Sequence, residues 1–219
     1  MENEATQSEL ERQVIHILAG APALLLRWLN YPQALALAVA LIIWNLFLLP
    51  RFAIARRHLY RPEEQERGFS AGIAFYPVSV FVLILLFPVP VAASMWGVLA
   101  VGDGMASFVG SLAGRRRVPW NHKKSLDGLF AFVAGGAPSA MLLYWWTIPN
   151  IGASPSWWQN HGELLLCGTP AIGSILLISA VTTVFCALLE TIDIGIDDNV
   201  LVPLGGACVM TGLVHALCG

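Results

Sequence analysis

One carboxylate lies inside an apolar run, and the residues that follow it could bind a phosphate-bearing ligand. Asp103 stands between Gly102 and Gly104. Small residues recur after it at helical spacing, so that another backbone or a ligand could approach one face closely: Ser107, Gly110, Ser111 and Gly114. The face leads into five cations: Arg115, Arg116, Arg117, Lys123 and Lys124. A carboxylate able to hold a metal, a bare surface and a basic loop together suit a polyphosphate with its divalent ion.

The second part of this basic segment predicts an anion site. Lys123, Lys124 and Ser125 come directly before a new apolar run, and Asp127 and Gly128 follow. Backbone N–H groups at the start of a helix and nearby ammonium groups both attract anions, so we expect phosphate to bind there. The run from Arg115 to Arg117, taken alone, is more typical of a topology signal.

An acidic segment could provide metal ligands. Four carboxylates fall within nine residues and should repel one another: Glu190, Asp193, Asp197 and Asp198. A divalent metal, or the basic loop facing them, would relieve this repulsion, whereas the alternative is an ordinary solvated loop. The candidate metal ligands are Asp103, Asp197, Asp198 and Asn199.

A histidine near the N-terminus is a further candidate. His16 lies just inside the first apolar run and could contact a phosphate. The alternative is a hydrogen-bonded histidine at the membrane interface.

The composition predicts an all-α, polytopic integral membrane protein. The 219 residues are 57% hydrophobic and 12% charged, whereas soluble domains carry about 25% charged residues. About 20 apolar residues cross a bilayer, so we expect about seven transmembrane helices. A polar segment, residues 1–13, would precede a single domain, residues 14–219. The expected spans cover residues 14–28 (kinked or re-entrant), 31–49, 69–87, 91–113, 126–146, 171–189 and 200–218.

The distribution of charge indicates the orientation. Ten of the twelve Lys and Arg residues lie in two loops that two predicted spans separate, so both loops should be cytoplasmic. Two more spans place the acidic loop on the same side, and the candidate site would face the cytoplasm. Both basic loops adjoin spans, which argues against nucleic-acid binding. The sequence has no P-loop and no G-x-S-x-G motif.

These motifs, in this order, resemble the integral-membrane CTP-dependent lipid kinases. The family includes dolichol kinase, phytol and farnesol kinases and CTP-dependent diacylglycerol kinase, and it shares a superfamily with phosphatidate cytidylyltransferase. The matching residues are Gly102-Asp103-Gly104-Met-Ala106 with Gly110 and Gly114, Lys124-Ser125-x-Asp127-Gly128, Glu190, and Asp197-Asp198-Asn199-x-x-Val202-Pro203. The resemblance covers residues 10–219.

The chain departs from the family in three places. Asp127 replaces the usual Glu, which shortens the reach of the carboxylate. Arg12-Gln13 replaces the Arg-Lys pair of the phytol-kinase branch. The C-terminal signature of the cytidylyltransferases is absent, which favours the kinase branch.

The resemblance implies transfer of the γ-phosphate of CTP to the hydroxyl of a lipid alcohol, with Mg²⁺ or Mn²⁺. The alcohol could be a polyprenol, a phytol- or farnesol-like alcohol, or diacylglycerol. Asp103 would hold metal with Asp197 or Asp198, and the basic residues would neutralise charge on the phosphates. Glu190 or Asp127 could accept the hydroxyl proton, and the residues do not decide between them.

The lipid would come from the bilayer and the nucleotide from the cytoplasm. An acidic N-terminus without the basic start of a targeting peptide favours a prokaryotic plasma membrane. The sequence does not decide whether the protein forms a homo-oligomer. The alternatives are a cytidylyltransferase, which would release pyrophosphate, and an ion-coupled transporter with Asp103 and Glu190 as an ion relay.

Overall fold

A computed structural model describes residues 2–53, 59–60, 62–114, 116–159 and 171–218. The α-helices are α1 (Glu2–Leu18), α2 (Tyr31–Ile43), α3 (Pro62–Arg67), α4 (Ala71–Leu86), α5 (Val89–Gly97), α6 (Asp103–Ala113), α7 (Leu126–Thr147), α8 (Ser156–Gln159), α9 (Ile172–Glu190) and α10 (Asp198–Cys218). The 3₁₀ segments are Ala21–Arg27, Leu49–Arg51 and Ile148–Ala153, and π-helical turns occupy Trp44–Leu48 and Val98–Gly102. The strands are β1 (Arg117–Val118) and β2 (Asn121–Ser125).

The described helices confirm an all-α polytopic membrane architecture. Five are long and apolar enough to span a bilayer: Tyr31–Arg51, Val89–Ala113, Leu126–Ala153, Ile172–Glu190 and Asp198–Leu217. The shorter α4 is also apolar and contains Pro77. The first predicted span is divided, because α1 ends at Leu18 and a 3₁₀ segment begins at Ala21. The total of about seven spans stays a prediction, as does the domain boundary at residue 13, which lies within α1.

Short polar side chains begin three of the spans. The Asn30 side chain accepts a hydrogen bond from the Gln33 N–H, and the Gln33 side chain accepts one from the Asn30 N–H. Ser125 Oγ accepts from the Gly128 N–H at 3.0 Å and so caps α7. Asp197 Oδ1 accepts from the Asn199 N–H at 2.9 Å at the start of α10. Such caps satisfy N–H groups that have no partner within the helix.

The span Val89–Ala113 is the centre of the bundle. In the most apolar stretch of this span 83% of the residues are buried, against 11–39% in the other four spans. Glycines let α7 approach it closely: a Cβ on Gly102 would lie 3.0 Å from the Phe132 ring, and one on Gly135 2.9 Å from Met105. Asp103 therefore lies on the helix that the rest of the bundle surrounds.

A short β-hairpin replaces the loop expected before α7. β1 and β2 pair antiparallel, and the hairpin is fastened to the end of α9. The Trp120 indole N–H donates to Thr191 Oγ1 at 2.9 Å, and Asn121 Nδ2 donates to the Thr191 carbonyl at 3.0 Å. These bonds hold Lys123 and Lys124, in β2, beside the acidic segment.

Candidate active site

Two short ion pairs join the hairpin to two helix ends. Lys124 Nζ lies 2.7 Å from Glu190 Oε1 and 2.9 Å from Asp198 Oδ2. Glu190 is the last residue of α9 and is 7% exposed, while Asp198 is the first residue of α10. We call these three side chains the lysine–carboxylate cluster. Its geometry relieves the predicted repulsion within the acidic segment through a cation.

The charge of Lys124 is held by this cluster. Burial of the ammonium group lowers its pKa, but the nearby charges of Glu190 and Asp198 and their hydrogen bonds act more strongly in the opposite direction. The net effect raises the pKa of Lys124 above its usual range. The ammonium is therefore charged at neutral pH and bound to protein carboxylates.

Asp103 is held by a second set of contacts. It follows a π-helical turn, Val98–Gly102, and such turns displace backbone carbonyls from the regular α-helical pattern. His16 Nε2 lies 3.0 Å from the Leu99 carbonyl oxygen and 3.3 Å from Asp103 Oδ2. A carbonyl can only accept, so Nε2 carries the hydrogen. The His16 ring also contacts the Tyr76 ring edge-on at 5.1 Å. His16 is thus a hydrogen-bonded histidine that also lies beside Asp103, and its contact with a phosphate stays a prediction.

The two sets of contacts face one another. Asp103 is close enough to Glu190 and Asp198 for its charge to act on both carboxyl groups. The structure therefore gathers acids from the centre of the sequence and from its C-terminal part at one end of the bundle.

The site contains carboxylates of the kind that bind divalent cations, but the described side chains do not form a complete set of metal ligands. Among the described residues, no three His, Cys, Asp or Glu side chains are grouped so that they could hold a metal ion. Two carboxylates, Glu190 and Asp198, nevertheless share one lysine, and carboxylate oxygens are the ligands that Mg²⁺ prefers. Asp127 Oδ2 is buried and has no hydrogen-bond partner in the part of the chain that is described. These donors fit a divalent cation, and the metal site stays a prediction.

Two of the predicted metal ligands bond to each other. Asp197 Oδ1 accepts from both the backbone N–H and the side-chain amide of Asn199, each at 2.9 Å. Asp198 instead points to Lys124. Asp197 thus caps α10, whereas Asp198 binds Lys124.

The small-residue face of α6 contacts a second backbone. A Cβ on Gly110 would lie 3.3 Å from Ser125 Oγ, and one on Gly114 2.8 Å from the same atom. Gly104 contacts α1, where an added Cβ would lie 2.6 Å from Ile17. The elements that approach these glycines closely are the start of α7 and helix α1. Ser107, one turn after Asp103, is half-buried.

The remaining predicted cations are at the surface. Lys123 pairs with Asp193 at 3.5 Å, and both side chains are more than 60% exposed. Arg116 and Arg117 are exposed. The prediction for Arg115 lies outside the described residues. Among the described basic residues of this segment, Lys124 therefore differs from the others, because its ammonium group binds Glu190 and Asp198 instead of lying at the surface.

Sequence reasoning missed the residues that attach the hairpin. Thr191 is 3% exposed and accepts through both its hydroxyl and its carbonyl oxygen. Trp120 is 64% exposed and donates the first of these bonds. A lone threonine at a helix end carries no spacing signal, so only the fold reveals its role.

The fold and the site define a polytopic α-helical membrane protein with ionisable groups gathered at one end of its bundle. The chain is 28% identical over 215 residues to "Probable phytol kinase 2, chloroplastic" of Glycine max, covering 93% of this chain and 65% of the relative. It is 27% identical to "Phytol kinase" of Synechocystis sp., covering 92% and 78% of the two chains. It is 28% identical to "CTP-dependent diacylglycerol kinase 1" of Schizosaccharomyces pombe, covering 92% of each.

These relatives confirm the resemblance to the CTP-dependent lipid kinases. The chain spans about two thirds of the length of the plant relatives that it matches. No protein-family profile matches the chain, and no solved structure matches it.

Proposed function

We propose that the protein is a membrane kinase that transfers the γ-phosphate of CTP to the hydroxyl of a lipid alcohol. The observation that carries this proposal is the convergence of Lys124, Glu190 and Asp198 beside Asp103. The names of the relatives supply the donor and the class of acceptor. None of the relatives named above is a cytidylyltransferase or a transporter.

The carboxylates would hold the divalent cation that accompanies the nucleotide. Asp103 and Asp198 are the best candidates for its ligands, because they come from different helices and the charge of Asp103 acts on Asp198. A bound Mg²⁺ would neutralise the phosphate oxygens and align them for in-line transfer. His16, whose Nε2 lies 3.3 Å from Asp103 Oδ2, would help to position the Asp103 carboxylate.

Lys124 would act on both sides of this site. In the structure its ammonium neutralises Glu190 and Asp198. An ammonium at this place can also interact with the phosphate as charge develops during transfer. β2 holds the backbone of Lys124, and α7 begins directly after β2, with Ser125 as its cap. The position of the Lys124 ammonium group therefore depends on the hairpin.

Asp127 is the better candidate for the general base. Its buried Oδ2 has no hydrogen-bond partner among the described residues, whereas Glu190 is bound by Lys124. A carboxylate oxygen without a donor can accept the proton of an incoming hydroxyl. The acceptor would enter from the bilayer and the nucleotide from the hairpin side. This face would be cytoplasmic, in a plasma membrane.

A product assay tests the proposal. Purified protein with Mg²⁺ is given CTP labelled at the γ or the α position, with phytol, farnesol, diacylglycerol or phosphatidate. We expect γ label in an organic-soluble monophosphate, lost in Asp103→Asn. The control is Asp193→Asn, an exposed acid of the same segment, which should retain activity. Transfer of α label alone would establish a cytidylyltransferase, and no transfer from either position would refute the enzyme.

A further inference from the structure

One face of α9 carries polar side chains into the centre of the bundle. At helical spacing these are Ser179, Thr182, Thr183, Cys186 and Glu190. The first four are 0% exposed, and Glu190 is 7% exposed. From Glu190 to Ser179 the helix rises about 16 Å, or half of a hydrocarbon core. We call these five side chains the polar face of α9.

The hydroxyls of the polar face have no partners among the described residues. Ser179 Oγ, Thr182 Oγ1 and Thr183 Oγ1 are buried and make no hydrogen bond there. Other hydroxyls of the same bundle bond back to their own helix: the buried Ser94 to the Pro90 carbonyl, the buried Thr147 to Leu143 and the half-buried Thr211 to Ala207, at 2.6–2.8 Å. This local bond is the usual solution for a hydroxyl within a helix. Ser79 Oγ of α4 is a further buried hydroxyl without a partner among the described residues, so the polar face of α9 differs in having three of them on one face.

The facing helices offer backbone rather than polar side chains. A Cβ on Gly136 of α7 would lie 2.7 Å from the Thr183 methyl group, and one on Gly206 of α10 3.7 Å from the Thr182 methyl group. Met95 of α5 also contacts this position, since its sulfur would lie 2.7 Å from the same Cβ on Gly206. The approach is too close for an organic ligand, so a molecule that bonds to these hydroxyls would have to be as small as water.

A buried hydroxyl without a partner costs free energy, above all where lipid excludes bulk solvent. Bound water removes this cost when it finds two to four polar partners. The polar face offers three hydroxyls in succession and ends at a carboxylate. Polar groups that line the interior of a membrane bundle commonly mark a hydrated path.

We propose that the polar face of α9 binds a file of water molecules that runs from Glu190 about two to three turns into the membrane. The water donates hydrogen bonds to the Glu190 carboxylate and exchanges hydrogen bonds with Thr182, Thr183 and Ser179. The file hydrates Glu190 from the interior, on the side that Lys124 does not cover. This site is independent of the proposed kinase activity.

Hydroxyl-radical footprinting of the purified wild-type protein in nanodiscs tests the proposal. Radicals formed from bound water oxidise the nearest side chains, and Cys186 and Met95 are sulfur reporters in the wall of the file. We expect both to be oxidised although they are 0% exposed. Trp96 is the internal control, because it is equally buried and its N–H donates to the Tyr76 hydroxyl at 3.0 Å. Oxidation of Cys186 and Met95 no faster than that of Trp96 would overturn the proposal.

Isosteric variants locate the water. Thr182→Val and Thr183→Val each remove a hydroxyl and keep the shape of the side chain. We expect the double variant to slow oxidation of Cys186 and Met95 at least about threefold, and each single variant to slow it less. Thr211→Val is the matched control, because its hydroxyl is already bonded to Ala207. Unchanged oxidation in the double variant, or an equal effect of Thr211→Val, would contradict the proposal. Neither outcome depends on whether the protein transfers phosphate.

Discussion

Replacing Lys124 by Met should destabilise the protein strongly, because it would leave two carboxylates beside each other without a cation. At 2.7 and 2.9 Å, each attraction amounts to about 6 kcal/mol at an effective dielectric of about 20. Desolvation of the three groups offsets most of this gain. Removing the partner of the buried Glu190 carboxylate keeps the penalty and loses the attraction, which costs about 3–5 kcal/mol in a buried pair. Asp198, whose side chain is 39% exposed, adds less.

Thermal unfolding followed by circular dichroism measures this cost. For a chain of this size, 1 kcal/mol corresponds to about 2–4 °C, so Lys124→Met should lower the melting temperature by about 10 °C. Lys123→Met is the matched control, because its pair with Asp193 is exposed and should contribute less than about 1 kcal/mol.

A double-mutant cycle isolates the interaction. In a Glu190→Gln, Asp198→Asn background no carboxylate is left unpaired, so Lys124→Met should cost much less than it does in the wild type. Equal effects of Lys124→Met and Lys123→Met, or an undiminished cost in the neutral background, would refute the reasoning.

Three further outcomes follow from the geometry. Since the pKa of Lys124 is raised in the folded state, its stabilising effect should persist from neutral pH up to its unfolded pKa of about 10.4 and fall at higher pH. Acid should also reduce the effect, because it neutralises the carboxylates that Lys124 binds; a pH series of the Lys124→Met difference would show both limits. Gly128→Ala should cost about 1–3 kcal/mol, because the new Cβ would lie 2.9 Å from the Ala106 carbonyl oxygen. Gly212→Ala, with nothing within 4 Å, should be neutral or stabilising in the same melting assay. Trp120→Phe should lose the bond to Thr191 and about 1 kcal/mol; no change in melting would show that this bond does not secure the hairpin.

Five of the seven predicted spans match long apolar helices, and these were predictable because each is a long apolar run with a polar boundary. Residues 126–146 were expected to cross the membrane, and α7 covers Leu126–Thr147. Residues 171–189 were expected likewise, and α9 covers Ile172–Glu190. The hairpin was not predicted, because strands of two and five residues are too short and too charged to show alternation.

The sequence singles out the candidate site residues but not the contacts between them. A carboxylate in an apolar run and a lysine beside a helix start are visible in the sequence. The partner of each is decided by packing: Lys124 pairs across 66 and 74 positions with Glu190 and Asp198. His16 meets the Leu99 carbonyl across 83 positions. Such separations follow from the arrangement of helices, which no local pattern encodes.

The π-helical turn at Val98–Gly102 has a consequence for insertions and deletions. A turn of this kind holds one residue more than an α-helical turn of the same length, and each residue rotates the helix by about 100°. Deleting one residue here would restore a regular helix without shortening the span appreciably, yet it would swing Asp103 away from His16. The position of Asp103 in the centre of the bundle therefore depends on the number of residues in this turn. A change of length in this span would be more damaging than a substitution.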